Sequence, residues 1–120
     1  MGPVAVVNLA EVDPIELPRE SWSRMLITSN HADGNQSSLG YSVFTPGTAL
    51  TPVKHETEEV AYVVSGSGEL RLDTGAVPFG EGDALHIPAQ TWHAVANTGE
   101  VDVVMVFGFP HPDYPPTERR

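Results

Sequence analysis

Apolar residues in this chain come in short runs, several of them alternating with polar ones, and Gly or Pro interrupts them before a helical period can establish itself. Period-two alternation is clearest in Glu59-Val60-Ala61-Tyr62-Val63-Val64, where Glu59, Ala61 and Val63 share one face. The pattern predicts strands near Val4–Leu9, Trp22–Thr28, Gly40–Thr45, Thr51–His55, Glu59–Val64, Gly68–Asp73, Ala84–Pro88, His93–Asn97 and Val101–Gly108. Ser65-Gly66-Ser67-Gly68 reads as a hairpin turn. Pro14-Ile15-Glu16-Leu17-Pro18 blocks a helix. Many short strands at regular spacing imply an all-β sandwich or barrel. The polar stretch Asn30–Ser38 reads as a loop, placed over a barrel mouth, and His111–Arg120, rich in proline and charge, as an extended arm or a partly disordered tail. The expected organisation is one domain over residues 1–110, opened by an N-terminal strand, followed by the 111–120 tail.

Composition narrows the partners. With 120 residues the chain suits one compact domain with a real core. Six Lys and Arg against 16 Asp and Glu give a formal charge of −10, which repels phosphate backbones and anionic lipid. Nucleic acid and membranes are therefore not expected as partners; a small molecule is. There is no cysteine, so disulfides, thiolate metal sites and a cysteine nucleophile are excluded. Met1–Leu9 has no basic region leading into a long apolar run, and no stretch approaches a membrane span, so a cytoplasmic location is the expectation.

The chemistry gathers in two places. Glu59 lies on a face shared with Ala61 and Val63, and an unpaired carboxylate there is costly to bury. A metal ion would compensate it. His55 stands four residues earlier, and His93 opens an apolar strand with the parity of Val95. His55, Glu59 and His93 would form a two-histidine, one-carboxylate set with open coordination positions, as iron(II) oxygenases require; zinc, manganese, nickel and cobalt fit such a set too. The plainer reading is a polar barrel interior in which Glu59 hydrogen-bonds the two histidines.

These stretches resemble the two cupin motifs, G(X)5HXH(X)3,4E(X)6G and G(X)5PXG(X)2H(X)3N. Gly47, His55, Glu59 and Gly66 fall in register with the first, and Gly82, Pro88, His93 and Asn97 with the second. The resemblance implies a cupin (double-stranded β-helix, jelly-roll) barrel with one divalent metal, Fe(II) favoured. It also implies a homodimer, expected here to use the N-terminal strand, with Val4–Leu9 and Val101–Gly108 as the apolar segments needing cover. Two positions depart from the pattern. Val53 stands where the motif has its first histidine, and Gln90 where PXG has glycine. The site is then a three-ligand centre of the kind that holds iron in some cupins, or a decayed one, or one completed by His86 or Tyr62. Val53 shares parity with His55 and should point inward.

Other residues have plainer readings. His86 should face away from the site, His31 lies in the polar loop and His111 in the tail. Tyr41, Phe44, Tyr62, Trp92 and Phe107 read as core, interface or pocket wall. Arg24 and Arg71 read as surface charges, or as carboxylate clamps if inward. Gln90 could touch a ligand at the rim, and Glu56 and Glu58 read as solvated. Cupins host many activities, so the resemblance leaves the function open. The leading expectation is a metal-dependent enzyme acting on a small molecule, foremost an iron(II) oxygenase. The alternatives are a redox-neutral isomerase, cyclase or lyase, with Glu59 as base instead of ligand, and a non-catalytic binding module.

Overall fold

The computed structural model describes residues 2–120. It contains eleven strands: β1 (Ile15–Glu16), β2 (Trp22–Ile27), β3 (Ser38–Phe44), β4 (Val53–His55), β5 (Glu59–Ser65), β6 (Gly68–Leu72), β7 (Gly75–Phe79), β8 (Ala84–Ile87), β9 (His93–Ala96), β10 (Val103–Phe109) and β11 (Thr117–Arg119). They form two antiparallel sheets, β1-β2-β3-β10-β5-β8 and β11-β4-β9-β6-β7. This is the all-β barrel expected. The helical content described is two single 3-10 turns, Leu9–Glu11 and Pro18–Glu20. Among the described residues no helix is long and apolar enough to cross a membrane.

Alternation decides which side chains fill the barrel. On β5, Ala61 and Val63 are buried while Val60, Tyr62 and Val64 are exposed. On β10, Val103, Met105, Phe107 and Phe109 all face the core. β10 lies between β3 and β5, and Phe107 pairs with Gly40 on one side and Ala61 on the other. A Cβ on Gly40 would run into the tip of the Phe107 ring, so only glycine lets that ring sit against the β3 backbone.

Several expectations need correcting. Val4–Leu9 forms no strand; Val4 and Val6 are almost fully exposed, because no neighbouring strand offers them a ladder. Val103–Phe109 is paired on both sides, so it is no exposed edge. Ser65-Gly66-Ser67-Gly68 is a turn, with Gly66 at φ 86°, but it carries the chain from one sheet to the other. The real hairpin there is β6–β7, closed by Asp73 and Thr74. β7 contains Pro78, which an edge strand tolerates because its missing amide faces no partner. Asn30–Ser38 lines no part of the barrel cavity; Asn35 donates to the Pro112 carbonyl. The tail is not a free arm. β11 pairs with β4, and Arg120 makes a two-point contact with Asp73 while its guanidinium lies over Trp92.

Candidate metal centre

His55 ends β4, Glu59 begins β5 and His93 begins β9, so the two sheets bring the three together at one end of the barrel. His55 and His93 are buried, and the Glu59 side chain is nearly so. Glu59 Oε1 lies 3.2 Å from His55 Nε2 and 3.4 Å from His93 Nε2. Two donors at about 2.1 Å from a common ion stand about 3.0–3.4 Å apart for octahedral or tetrahedral angles. One potential ligand atom from each residue lies within 4.8 Å of the others, and the set could hold a metal ion.

The histidine tautomers are set from behind. His93 Nδ1 is 2.8 Å from the Thr91 carbonyl, which can only accept, so Nδ1 carries a proton. His55 Nδ1 is 2.7 Å from Thr117 Oγ1. The Thr117 hydroxyl donates to the Pro115 carbonyl at 2.8 Å, leaving its oxygen to accept from His55. In a neutral ring, each arrangement turns an Nε2 lone pair toward Glu59, which is how ligand histidines are oriented. This is the physical ground on which the donor set fits a divalent ion.

With no ion bound, protons take its place. Burial works to raise the Glu59 pKa, but hydrogen bonds from His55 and His93 outweigh it and hold the carboxyl below its usual range. Burial works to lower that of His93, but the bonds to Glu59 and to the Thr91 carbonyl bring it above the ordinary histidine value. A carboxylate facing two imidazoles needs a positive charge between them, and either a proton or a metal supplies it.

The centre opens on a cavity of about 440 Å³ inside the barrel, walled by Phe44, Leu70, Ile87, Met105, Phe107 and Phe109 among others. Val53 is part of that wall, inward as its parity predicts, and pairs with His93 across the ladder. His86 and Tyr62 do not complete the site. Both are exposed on the outer face, His86 3.5 Å from Glu58. Gln90 is exposed and lines no cavity, but it holds φ 62°, the conformation for which the motif keeps a glycine, and its amide donates to the His55 carbonyl.

Arg24 points outward, stacks over Trp22 and donates to the Leu9 carbonyl. Arg71 pairs with Glu69 at the surface, so neither arginine is an inward clamp. Tyr41 stacks on Trp22. His31 bonds Thr28, and His111 bonds the Asp113 backbone. Two residues of the site escaped the sequence reading, Tyr114 and Thr117. Tyr114 packs edge-on against His55 and Phe109 and borders the cavity, and burial pushes its phenol up. Both lie in the tail, where proline hid the short strand.

Comparison with known proteins fits this architecture. A family model described as a cupin domain matches residues 40–109. Protein SchB of Streptomyces halstedii is 34% identical over 95 residues, covering 75% of this chain and 69% of that protein. Polyketide synthase CurC of Streptomyces cyaneus is 30% identical over 103 residues, covering 85% of this chain and 66% of its own length. The solved polyketide cyclase RemF from Streptomyces resistomycificus superposes with a TM-score of 0.80 at 25% identity, over 98% of this chain and 85% of that one. The in-register motif residues, the barrel they build and the match across more than half of its length place this chain in the cupin family.

Proposed function

We propose that the protein is a metal-dependent, redox-neutral cyclase that folds and closes a poly-β-ketone chain. The observation that carries this reading is the cavity: an apolar chamber of about 440 Å³ that ends on the His55–Glu59–His93 set. The similarity to RemF over nearly the whole chain, and to SchB and CurC, supports it. A divalent ion on His55 Nε2, His93 Nε2 and Glu59 Oε1 would supply Lewis acidity toward the oxygens of a 1,3-diketone. The chain's own residues do the rest. The walls exclude water and hold an apolar chain folded back on itself, which turns ring closure into a nearly unimolecular step. The open side beside Val53 leaves room for a chelating substrate.

Dehydrative aldol closure loses two hydrogens from one carbon and the carbonyl oxygen as one water and leaves a carbon–carbon double bond, so no oxidant is required; its first step takes one proton off that carbon. Glu59 is held ionised at the cavity's end, and because Oε1 faces both histidines, Oε2 is left to accept that proton.

A second reading, an iron(II) oxygenase, is favoured by 29% identity over 66 residues to 5-nitrosalicylic acid 1,2-dioxygenase of Bradyrhizobium sp., a match spanning 32% of that protein. One experiment separates them. Protein purified without added metal is analysed for bound ions, then given poly-β-ketone thioesters with and without dioxygen. About one ion per chain, its loss in His93→Ala, and equal cyclisation under nitrogen are expected. Turnover that stops under nitrogen would replace the cyclase with the oxygenase, and full metal occupancy in His93→Ala would remove the centre itself.

A further inference from the structure

The cavity wall carries a pair of hydroxyls that the metal centre does not use. Ser23 on β2 and Ser42 on β3 are directly opposed in the ladder, and both side chains face the cavity. Their Oγ atoms are 2.6 Å apart, and neither has another hydrogen-bond partner among the described residues. Two hydroxyls hold two hydrogens, and the mutual bond uses one. Ser42 is 2% exposed whereas Ser23 is only half-buried. Either hydroxyl can donate to the other, and Ser23, the less buried of the two, is the one placed to offer the spare hydrogen to a ligand.

A second hydroxyl group in the barrel shows the contrast. Ser21, Thr45 and Thr48 also bond to one another, but Thr45 donates onward to the Arg19 carbonyl and Ser21 accepts from the Thr45 amide. That group closes on the backbone and lines no part of the cavity. The serine pair closes on nothing. A hydroxyl with a spare hydrogen on an otherwise apolar wall is a ready donor for an acceptor atom of a ligand.

Register gives its distance from the centre. Ser42 pairs with Met105, and Met105 pairs with Val63, four residues along β5 from Glu59. At about 3.3 Å per residue and about 4.8 Å per strand the two features are offset by about 13 Å along the strands and about 10 Å across them, on the curved wall of the barrel. We propose that Ser23, backed by Ser42, is a second polar subsite of the cavity that anchors a carbonyl or hydroxyl oxygen at the end of the ligand farthest from the metal centre. The ligand class is a flat apolar carbon frame, two to three fused rings long, with oxygen at both ends. The inference rests on the small-molecule reading above and adds what would set the length and oxygenation of the substrate.

The test uses metal-free, chelator-treated protein, so that no probe can be held by an ion. The probes are 2-acetylnaphthalene and 2-isopropenylnaphthalene, alike in shape but differing in one carbonyl oxygen. Equilibrium dialysis should show the wild type preferring the ketone about fivefold, the usual net worth of one neutral hydrogen bond. Ser42→Ala should keep most of that preference. Ser23→Ala should bind both probes equally, with the alkene's affinity unchanged as a sign that the cavity is intact, and Ser23→Thr should restore the preference. Equal binding by the wild type, a preference surviving in Ser23→Ala, or no binding of either probe would each overturn the subsite. None of these results depends on turnover, so failed cyclisation with the ketone preference intact would remove only the functional reading.

Discussion

Thr117→Val tests whether the tail governs the metal centre. Valine keeps the β-branched shape but removes the oxygen that accepts from His55 Nδ1 at 2.7 Å. The ring is 4% exposed, so water cannot easily replace that partner. Two outcomes are open to the imidazole. It can keep Nδ1–H without an acceptor, which costs about 1–3 kcal/mol for a buried group. It can instead move the proton to Nε2, which removes the lone pair from the centre. Either way metal affinity should fall by about 10–100-fold, the range seen when partners behind metal ligands are removed. Competition against a chromophoric zinc chelator measures this directly. Thr117→Ser restores the hydroxyl and should restore the affinity. Glu118→Gln, on the same strand but facing out to Lys54, should leave it within about twofold, since an exposed ion pair contributes little. Unchanged affinity in Thr117→Val, with the fold intact, would refute the argument that this hydroxyl orients His55.

Four further outcomes are expected. In the metal-free protein the raised His93 pKa contributes stability that is complete below about pH 6.5 and is lost as pH rises through the folded value, while the lowered Glu59 pKa contributes above about pH 4.3 and is lost as pH falls through its own. Thermal melts in chelator should therefore weaken above neutrality, whereas the stabilisation by added metal should grow over the same range because the ion competes with the His93 proton; parallel trends would contradict the site. Val53→His should add a fourth ligand, raising metal affinity while lowering turnover, and a metal-poor wild type that becomes loaded on this change would favour a non-catalytic binding module. Gln90→Gly should stabilise by about 0.5–1 kcal/mol in denaturant melts, since glycine holds positive φ without strain, and a loss instead would mean that the Gln90 side chain contributes. The homodimer we propose no longer rests on an N-terminal strand but on the outer face of β5, where Val60, Tyr62 and Val64 are exposed, and a single 12.9 kDa species in sedimentation at micromolar concentration would end it.

The readable part of this protein was the part where local rules agree with the fold. Period-two alternation located the β5 core face, and spacing located His55, Glu59 and His93, because each ligand sits at the end of a strand whose neighbours fix its direction. What stayed hidden depends on pairing across the chain. The β7 strand carries Pro78, which argues against a strand until its edge position is known. Thr117 becomes part of the site only because β11 lies beside β4, sixty residues away in sequence, and nothing local to Pro-Pro-Thr-Glu-Arg announces that pairing. Val4–Leu9 failed in the opposite way: its residues favour a strand, but no partner is there to make one.

The centre joins the two sheets, for His55 and His93 belong to one and Glu59 to the other. The chain has no cysteine, so an ion held there would be its only cross-link of comparable strength. Such a link forms late, since it needs segments distant in sequence to have met already, and a contact made after the barrier leaves the folding rate almost untouched. Its effect falls on the reverse step: the sheets cannot part until the ion lets go. Loaded and stripped protein should therefore refold at similar speed and come apart at very different ones, so that the metal acts as a latch on the barrel's lifetime rather than a guide to its assembly.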